Sequence, residues 1–194
     1  MLTLCFATNN RHKLEEVQQA LGAGVKLVTL EDIGCYDEIE EPFDTIQKNS
    51  EAKARFVWDR YGIDTFADDS GLVIPALNGE PGVYSARYAG PQRDDKDNIR
   101  LVWEKLADKS DRSAYFITVI TLMLNGRLYA FEGIVNGTIL PEERGNNGFG
   151  YDPVFLPEGS EQTFAEMSLQ EKSELSHRAR AVRKLNEFLT RNFQ

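Results

Sequence analysis

Residues 65–74, Thr-Phe-Ala-Asp-Asp-Ser-Gly-Leu-Val-Ile, combine apolar flanks with two adjacent carboxylates, a hydroxyl and a glycine. The first three residues are typical of a short buried strand, and the apolar run resumes at Leu72 after a break. Adjacent charges at the end of a buried strand are costly unless a metal ion or a reacting water uses them. This stretch therefore indicates a site for metal-bound phosphate, with an exposed turn at Asp68 and Asp69 as the alternative.

Strand and helix patterns alternate through the first half of the chain. The apolar run at residues 2–7 predicts a buried strand, and apolar residues at helical spacing predict a helix from Lys13 onward. Further helices are predicted over residues 45–61 and, with a weaker pattern, over residues 96–106. This alternation is typical of an α/β protein.

The second half of the chain adds a hairpin and a final helix. Residues 114–124 and 128–140 predict long strands joined at Asn125-Gly126, a strong hairpin signal. A capping box at residues 168–171 precedes a last helix from about Ser176. The predicted fold class is therefore α/β, with a mixed sheet because the hairpin pairs antiparallel strands.

The composition excludes several classes of protein. A chain of 194 residues with 41% hydrophobic residues suits one domain with a real core, and its net charge of -9 disfavours a nucleic-acid-binding surface. No apolar stretch approaches the roughly 20 residues that span a bilayer, and the N-terminus lacks a signal-peptide pattern. Two cysteines, Cys5 and Cys35, favour free thiols in a cytoplasmic protein.

Two further polar clusters are candidates for phosphate and metal binding. Residues 8–13, Thr-Asn-Asn-Arg-His-Lys, join a strand to a helix, where free backbone N–H groups favour phosphate. Asn49 and Lys53 share one face of the second helix, and Glu41 just before it completes a set that suits a metal and a phosphate. Solvated charges on capped helices are the alternative for both clusters.

The last cluster combines an aromatic residue with charged groups. Phe149, within a glycine-rich loop, offers a ring for stacking a base, worth roughly 1–3 kcal/mol. Asp152, His177 and Arg178 offer polar contacts to the edge of a base. The alternative places Phe149 in the core and His177 and Arg178 in an ordinary first helical turn.

All four clusters, in this order and spacing, make the chain similar to the inosine triphosphate pyrophosphatase family. Its bacterial members, the dITP/XTP pyrophosphatases, are the most similar, and the resemblance runs from Leu4 to near Leu189. Its motifs are Ala-Asp-Asp-Ser-Gly-Leu at 67–72, Pro-Gly-Val-Tyr-Ser-Ala-Arg at 81–87, Gly-Phe-Gly-Tyr-Asp-Pro at 148–153 and Ser-His-Arg at 176–178.

The resemblance implies an elongated, two-lobed α/β fold around a long mixed sheet, with the active site in the cleft between the lobes. It implies one domain over residues 1–194, a homodimer, and Mg²⁺-dependent cleavage of ITP, dITP or XTP to the monophosphate and pyrophosphate. Glu41 and Asp69 would bind Mg²⁺, and Asp69 would also accept a proton. The implied substrate-binding residues are Thr8, Asn9, Asn10, Arg11, His12, Lys13, Lys53, Ser70, Phe149, Gly150, Tyr151, Asp152, Lys172, His177 and Arg178.

The chain departs from the family pattern at one position, and the sequence leaves two other functions open. Asn9 stands where many members of the family have glycine, so the phosphate loop is expected to have different backbone angles. The other functions are a pyrophosphatase with another base preference and a nucleotide-binding module without turnover. Paired metal ligands argue against the module, because a binder does not need them. The expected partners are a nucleotide substrate and a second copy of the chain, and neither nucleic acid nor a membrane.

Overall fold

A six-stranded mixed sheet forms the centre of the protein in the computed structural model, which describes residues 2–193 and the side chains of residues 2–192. The strand order is β2-β1-β3-β4-β5-β6; β1 runs parallel to β2 and β3, and the other neighbours are antiparallel. The strands are β1 Leu2–Phe6, β2 Val25–Val28, β3 Thr65–Val73, β4 Ser113–Leu124, β5 Arg127–Ile139 and β6 Phe155–Pro157.

Helices flank this sheet on both faces. Buried residues of α1 (Arg11–Ala20) and α5 (His177–Phe193) pack with Phe6 and Phe66 on one face, whereas α2 (Ile46–Tyr61) packs with Cys5 and Ala67 on the other. Among the described residues, no helix is long and apolar enough to cross a membrane. The helices are α1 Arg11–Ala20, α2 Ile46–Tyr61, α3 Asp95–Lys105, α4 Leu169–Leu175 and α5 His177–Phe193.

A separate apolar core fills the second lobe, at the far end of the hairpin. It joins the last part of β3 to α3, β4, β5 and β6 through residues such as Leu72, Val102, Phe116 and Phe155. Strands β3 and β4 run through both lobes, so the sheet is the common frame of the two. The predicted α/β class, mixed sheet and two-lobed shape are confirmed.

The middle of β3 lies just beyond the point where the neighbouring strand β1 ends. β3 pairs with β4 along its whole length, but β1 meets it only at Thr65 and Phe66, because β1 ends at Phe6. Beyond that point, at residues 67–71, the edge of β3 that faced β1 has no strand partner among the described residues, and at Leu72 and Val73 it meets Ser85 and Pro81. Ligands of α/β proteins bind outside the carboxyl ends of parallel strands, and this opening lies at such a position.

Most predicted elements are present, with three corrections. The predicted break after Ala67 is wrong, because residues 68–71 stay paired with β4 and β3 is continuous. Helix α1 begins at Arg11 rather than Lys13, because the Asn10 side chain accepts a hydrogen bond from the Lys13 N–H and caps it. The four-residue strand β2 was not predicted, and it lacks any buried position.

Helix α5 lies close to β5 because Gly133 has no side chain. A Cβ atom at Gly133 would clash with the carbonyl oxygen of His177 and lie 2.6 Å from the nitrogen of Ala181, both in the first turns of α5. These are backbone atoms, so the helix itself would have to move. The glycine therefore fixes the start of α5, where His177 and Arg178 stand.

Gly133→Ala is expected to destabilise the protein by about 1–3 kcal/mol, the usual cost of overpacking a tight contact. Urea denaturation of this variant and of Gly22→Ala measures the effect. A Cβ at Gly22 meets Asn186 Oδ1 at 3.7 Å, an ordinary contact, so the control should keep the stability of the parent. Equal stability of the two variants would contradict the close approach.

Candidate active site

A cleft of about 450 Å³ opens between the lobes at the end of β1 and beside the middle of β3. Every site residue that the family resemblance implies lines it except Arg11 and His12; the further candidates Asp68 and Asn49 do not line it. Arg11 is exposed, and His12 is exposed with its ring against Phe149. The remaining residues form two groups with β3 between them, which we name after the predicted roles: the phosphate end around Thr8–Asn10, Lys13 and Lys53, and the base end around Phe149 and His177.

Asp68 lies on the face of β3 that is covered by α1 and α5. Its carboxylate is fully buried and accepts hydrogen bonds from Lys13 Nζ at 3.0 Å and from Arg178 Nε at 2.9 Å. Burial alone would raise the pKa of Asp68, but the Lys13 ammonium and the Arg178 guanidinium hold it well below its usual range. Asp68 therefore stays ionised.

Asp69 faces the opposite side of β3, because side chains alternate along a strand. Its Oδ1 accepts a hydrogen bond from the Ser70 N–H at 2.9 Å, and Lys53 Nζ lies 4.0 Å from the same oxygen. Among the described residues, its buried Oδ2 has no hydrogen-bond partner. Burial raises the pKa of Asp69 to about 6, although Lys53 and Lys13 oppose the increase. Asp69 thus has a free oxygen and a pKa suited to proton transfer.

Glu41 and Asp69 both lie close to the Lys53 ammonium. Lys53 Nζ donates to Glu41 Oε1; burial opposes ionisation of Glu41, but Lys53 lowers the pKa of this carboxyl. Asn49 holds the neighbouring segment instead, since its Oδ1 accepts from the Phe43 N–H at 2.8 Å and its Nδ2 donates to the Phe43 carbonyl at 3.0 Å. The prediction that Asn49 faces a metal or phosphate is therefore wrong.

The two carboxylates suit a divalent cation shared with a phosphate. Within residues 2–193, no three His, Cys, Asp or Glu side chains form a complete metal site. Mg²⁺, however, is usually held by one or two carboxylates together with waters and substrate phosphates. The unpartnered Oδ2 of Asp69 and the nearby Glu41 fit that kind of site.

The loop before α1 forms the phosphate end. Thr8 Oγ1 accepts a hydrogen bond from the Asn10 N–H at 3.1 Å, and the Asn10 side chain caps the helix. Among the described non-glycine residues, only Asn78, Arg93 and Asn125 have positive φ. Asn9 therefore carries no left-handed strain, and asparagine fits this position.

A chain of buried ion pairs connects the phosphate end to the base end. Glu16 accepts hydrogen bonds from both Lys172 and Arg178. Three cations and three carboxylates alternate along the chain, so the buried charges balance. The chain runs from Lys13 through Asp68, Arg178, Glu16 and Lys172 to Asp152.

Sequence reasoning missed Glu16 and Thr118. Glu16 lies one turn from Lys13 and beside Val17, on the face of α1 that is otherwise apolar and buried. A charge on such a face was the available signal, because charges are seldom buried unless they are paired. Thr118 lies opposite Ser70 in β4, with the two hydroxyl oxygens 2.7 Å apart, and only the sheet register could have revealed it.

The glycine-rich loop folds around the Asp152 carboxylate. Asp152 Oδ2 accepts hydrogen bonds from the Phe149 N–H at 3.0 Å and from Lys172 Nζ at 2.6 Å. Gly148 has a φ of 73°, and a Cβ there would clash with the same carboxylate oxygen. The Gly150 N–H donates to Asp95 Oδ2 at 2.8 Å. Phe149 is only half-buried at the cleft, so the core alternative for it is wrong.

Tyr151, His177 and Arg178 are buried at the base end. The Tyr151 hydroxyl donates to the Ser85 carbonyl at 2.7 Å. The His177 ring stacks on Phe116 with ring centroids 4.6 Å apart, and its Nδ1 has no partner among the described residues. Burial, together with the Arg178 guanidinium, lowers the pKa of His177 well below its usual value, so this imidazole is neutral.

Arg178 organises the site from beneath the cleft. Its Nε donates to Asp68, its Nη1 to Glu16, and its Nη2 to Ser70 Oγ at 3.1 Å. Each nitrogen of the guanidinium therefore already has a protein partner. Contact of Arg178 with a substrate remains a prediction, which its position in the wall of the cleft permits.

Comparison with known proteins identifies the family. The pattern of the Ham1 family matches residues 4–188. The dITP/XTP pyrophosphatase of Flavobacterium psychrophilum is 49% identical over 187 residues, covering 96% of this chain and 98% of that protein. The HAM1 protein of Coxiella burnetii is 42% identical with a TM-score of 0.90, over 98% of this chain and 100% of that one.

A second solved structure agrees with the first. The Ham1 protein of Staphylococcus aureus is 34% identical with a TM-score of 0.88, over 97% of this chain and 98% of that one. The similarity thus covers both lobes and the cleft between them. The predicted resemblance is confirmed, and the chain belongs to the Ham1 family.

Proposed function

We propose that residues 1–194 form one Mg²⁺-dependent domain that hydrolyses ITP, dITP and XTP to the nucleoside monophosphate and pyrophosphate. The observation that carries the proposal is the free, buried Oδ2 of Asp69, placed between a cationic phosphate end and an aromatic base end. Curated relatives at up to 49% identity carry the name dITP/XTP pyrophosphatase, which supports a hydrolase acting on non-standard purine nucleotides.

The residues at the phosphate end have separate tasks. Mg²⁺ held by Glu41 and Asp69 would neutralise phosphate charge and lower the pKa of a bound water. Lys13 and Lys53 orient the triphosphate and stabilise the charge that develops on the leaving pyrophosphate. The Asp69 carboxylate accepts the proton of the attacking water as the new P–O bond forms and the P–O bond to pyrophosphate breaks. Because the cation would lower the pKa of that water, a weak base that also helps to hold the cation is sufficient. No covalent enzyme intermediate is required.

Selection of the base follows from the polar edge of the purine. Hypoxanthine and xanthine present a carbonyl at position six and a ring N–H, whereas adenine presents an amino group and a bare nitrogen. The neutral His177 provides one donor and one acceptor, and Arg178 provides donors only. Each unmatched buried polar pair costs roughly 1–3 kcal/mol, so two such pairs discriminate against ATP by orders of magnitude.

We further infer that the protein acts as a cytoplasmic homodimer. The family resemblance supports this assembly, and the reduced state of the buried Cys5 and Cys35 suits the cytoplasm. Sedimentation velocity at micromolar concentration tests the dimer, and a species with the mass of one chain would contradict it.

Pyrophosphate release from ITP, XTP, GTP and ATP, with Mg²⁺ and with EDTA, is the direct test of the proposed function. Release from ITP and XTP is expected to be fast and to require the metal, with kcat/KM for ATP at least about 30-fold lower because two polar pairs are unmatched. Release of orthophosphate alone, or preference for a pyrimidine triphosphate, would contradict the proposal. Nucleotide binding without turnover would favour the binding module.

Asp69→Asn is expected to lower kcat for ITP by about 100-fold or more, because the amide cannot accept the proton and is a poor metal ligand. Asp59→Asn provides a matched control. Asp59 is an exposed aspartate near the end of α2, the helix that also carries Lys53, and it lies outside the cleft. The control should retain the kcat of the parent. Turnover of Asp69→Asn within a few-fold of the parent would refute the assignment.

The two neighbouring aspartates should affect stability with opposite signs at neutral pH. Because the pKa of Asp69 is raised in the folded state, ionisation destabilises the fold as pH rises through about 6. Asp69→Asn should therefore stabilise the metal-free protein by roughly 2 kcal/mol. Because the pKa of Asp68 is lowered, its charge stabilises the fold, and Asp68→Asn should cost roughly 3–5 kcal/mol. Urea denaturation measures the stability of both variants. Effects of the same sign would contradict the opposite pKa shifts of the two aspartates.

A further inference from the structure

His12 lies against the glycine-rich loop instead of the phosphate end. Its imidazole stacks on the ring of Phe149, with centroids 5.2 Å apart and 14° between the planes. The next residue, Lys13, instead reaches Asp68 Oδ1 at 3.0 Å. Two consecutive residues in the first turn of α1 therefore serve opposite ends of the cleft.

The contacts of His12 are those of a stacking residue. Among the described residues its side chain makes no hydrogen bond or ion pair, and it does not line the cleft beside Thr8, Asn9 and Lys13. A phosphate ligand would instead direct a ring nitrogen toward that end. Within residues 2–192, the aromatic ring that stacks on His12 is that of Phe149, the residue predicted to stack on the base.

Two cations that are fixed by ion pairs also lie against the ring of Phe149. Lys172 Nζ lies 5.1 Å and Arg178 Cζ 5.9 Å from its centroid, and Glu16 fixes both cations. His12, by contrast, is exposed and rotates about two side-chain bonds. A purine has a larger π face than an imidazole, so a purine bound against Phe149 would displace His12 from that ring and offer His12 its own outer face.

We propose that His12 is a base-stacking residue, which closes over the purine bound against Phe149 and does not bind the triphosphate. The inference rests on the proposed function for the identity of the ligand. In the complex the base lies between the two rings, which separate by the thickness of one base. His12 then favours purines, because they cover both rings more fully than pyrimidines do.

His12→Phe and His12→Lys separate the effect of an aromatic ring from that of a positive charge. His12→Phe retains an aromatic ring and is expected to hold KM for ITP within about twofold of the parent, whereas His12→Lys replaces the ring with a cation and should raise KM about fivefold with kcat unchanged. Inhibition by pyrophosphate, which occupies the phosphate end without a base, should be equal in both. Gln18→Ala, an exposed position on α1, is the control for the helix surface.

Two results would overturn the inference. If His12→Lys behaves as the parent while His12→Phe loses affinity for both ITP and pyrophosphate, His12 acts through charge on the phosphates. If neither variant changes KM, His12 does not contact the substrate. Should the parent release no pyrophosphate from ITP, the proposed function fails, and calorimetric binding of inosine monophosphate then decides the inference. Weaker binding by His12→Lys than by His12→Phe supports stacking, and equal binding contradicts it.

Discussion

The alternation of side chains along β3 is the constraint on which the site depends. It sends Asp68 toward α1 and α5, where two cations fix its charge, and Asp69 toward α2, where one oxygen stays free. Neighbours in sequence therefore have pKa values shifted in opposite directions. Such a division between two carboxyls is how a single site can hold a permanent anion and a proton acceptor together.

The surrounding fold maintains this division. Pairing with β4 along all of β3 keeps the alternation in register, and the end of β1 opens the cleft beside it. The close approach of α5 across Gly133 brings Arg178 to Asp68. Burial of a balanced chain of ion pairs is costly, but removal of one partner costs more, so the chain fixes one arrangement of the site.

Much of the fold and many of the site residues could be predicted from local sequence, whereas the other features depend on tertiary contacts. The Asn125-Gly126 turn and the capping box at Ser168 are local signals, and both are present. The continuity of β3 was not predictable, because adjacent aspartates resemble a turn until their partners from two helices are known. Glu16 and the orientation of His12 likewise depend on contacts with residues far along the chain. Family motifs identified the cleft residues, but not which of them support others.

The titration of the aspartate carboxyls tests the account most directly. Carbon-13 NMR of metal-free protein labelled at aspartate carboxyls, assigned with Asp69→Asn and Asp68→Asn, follows each group separately. The account predicts that Asp69 titrates with a pKa of about 6, while Asp68 stays ionised throughout the pH range in which the protein is folded. If both carboxyls titrate together near the ordinary aspartate value, the two faces of β3 do not divide them and the central claim is wrong.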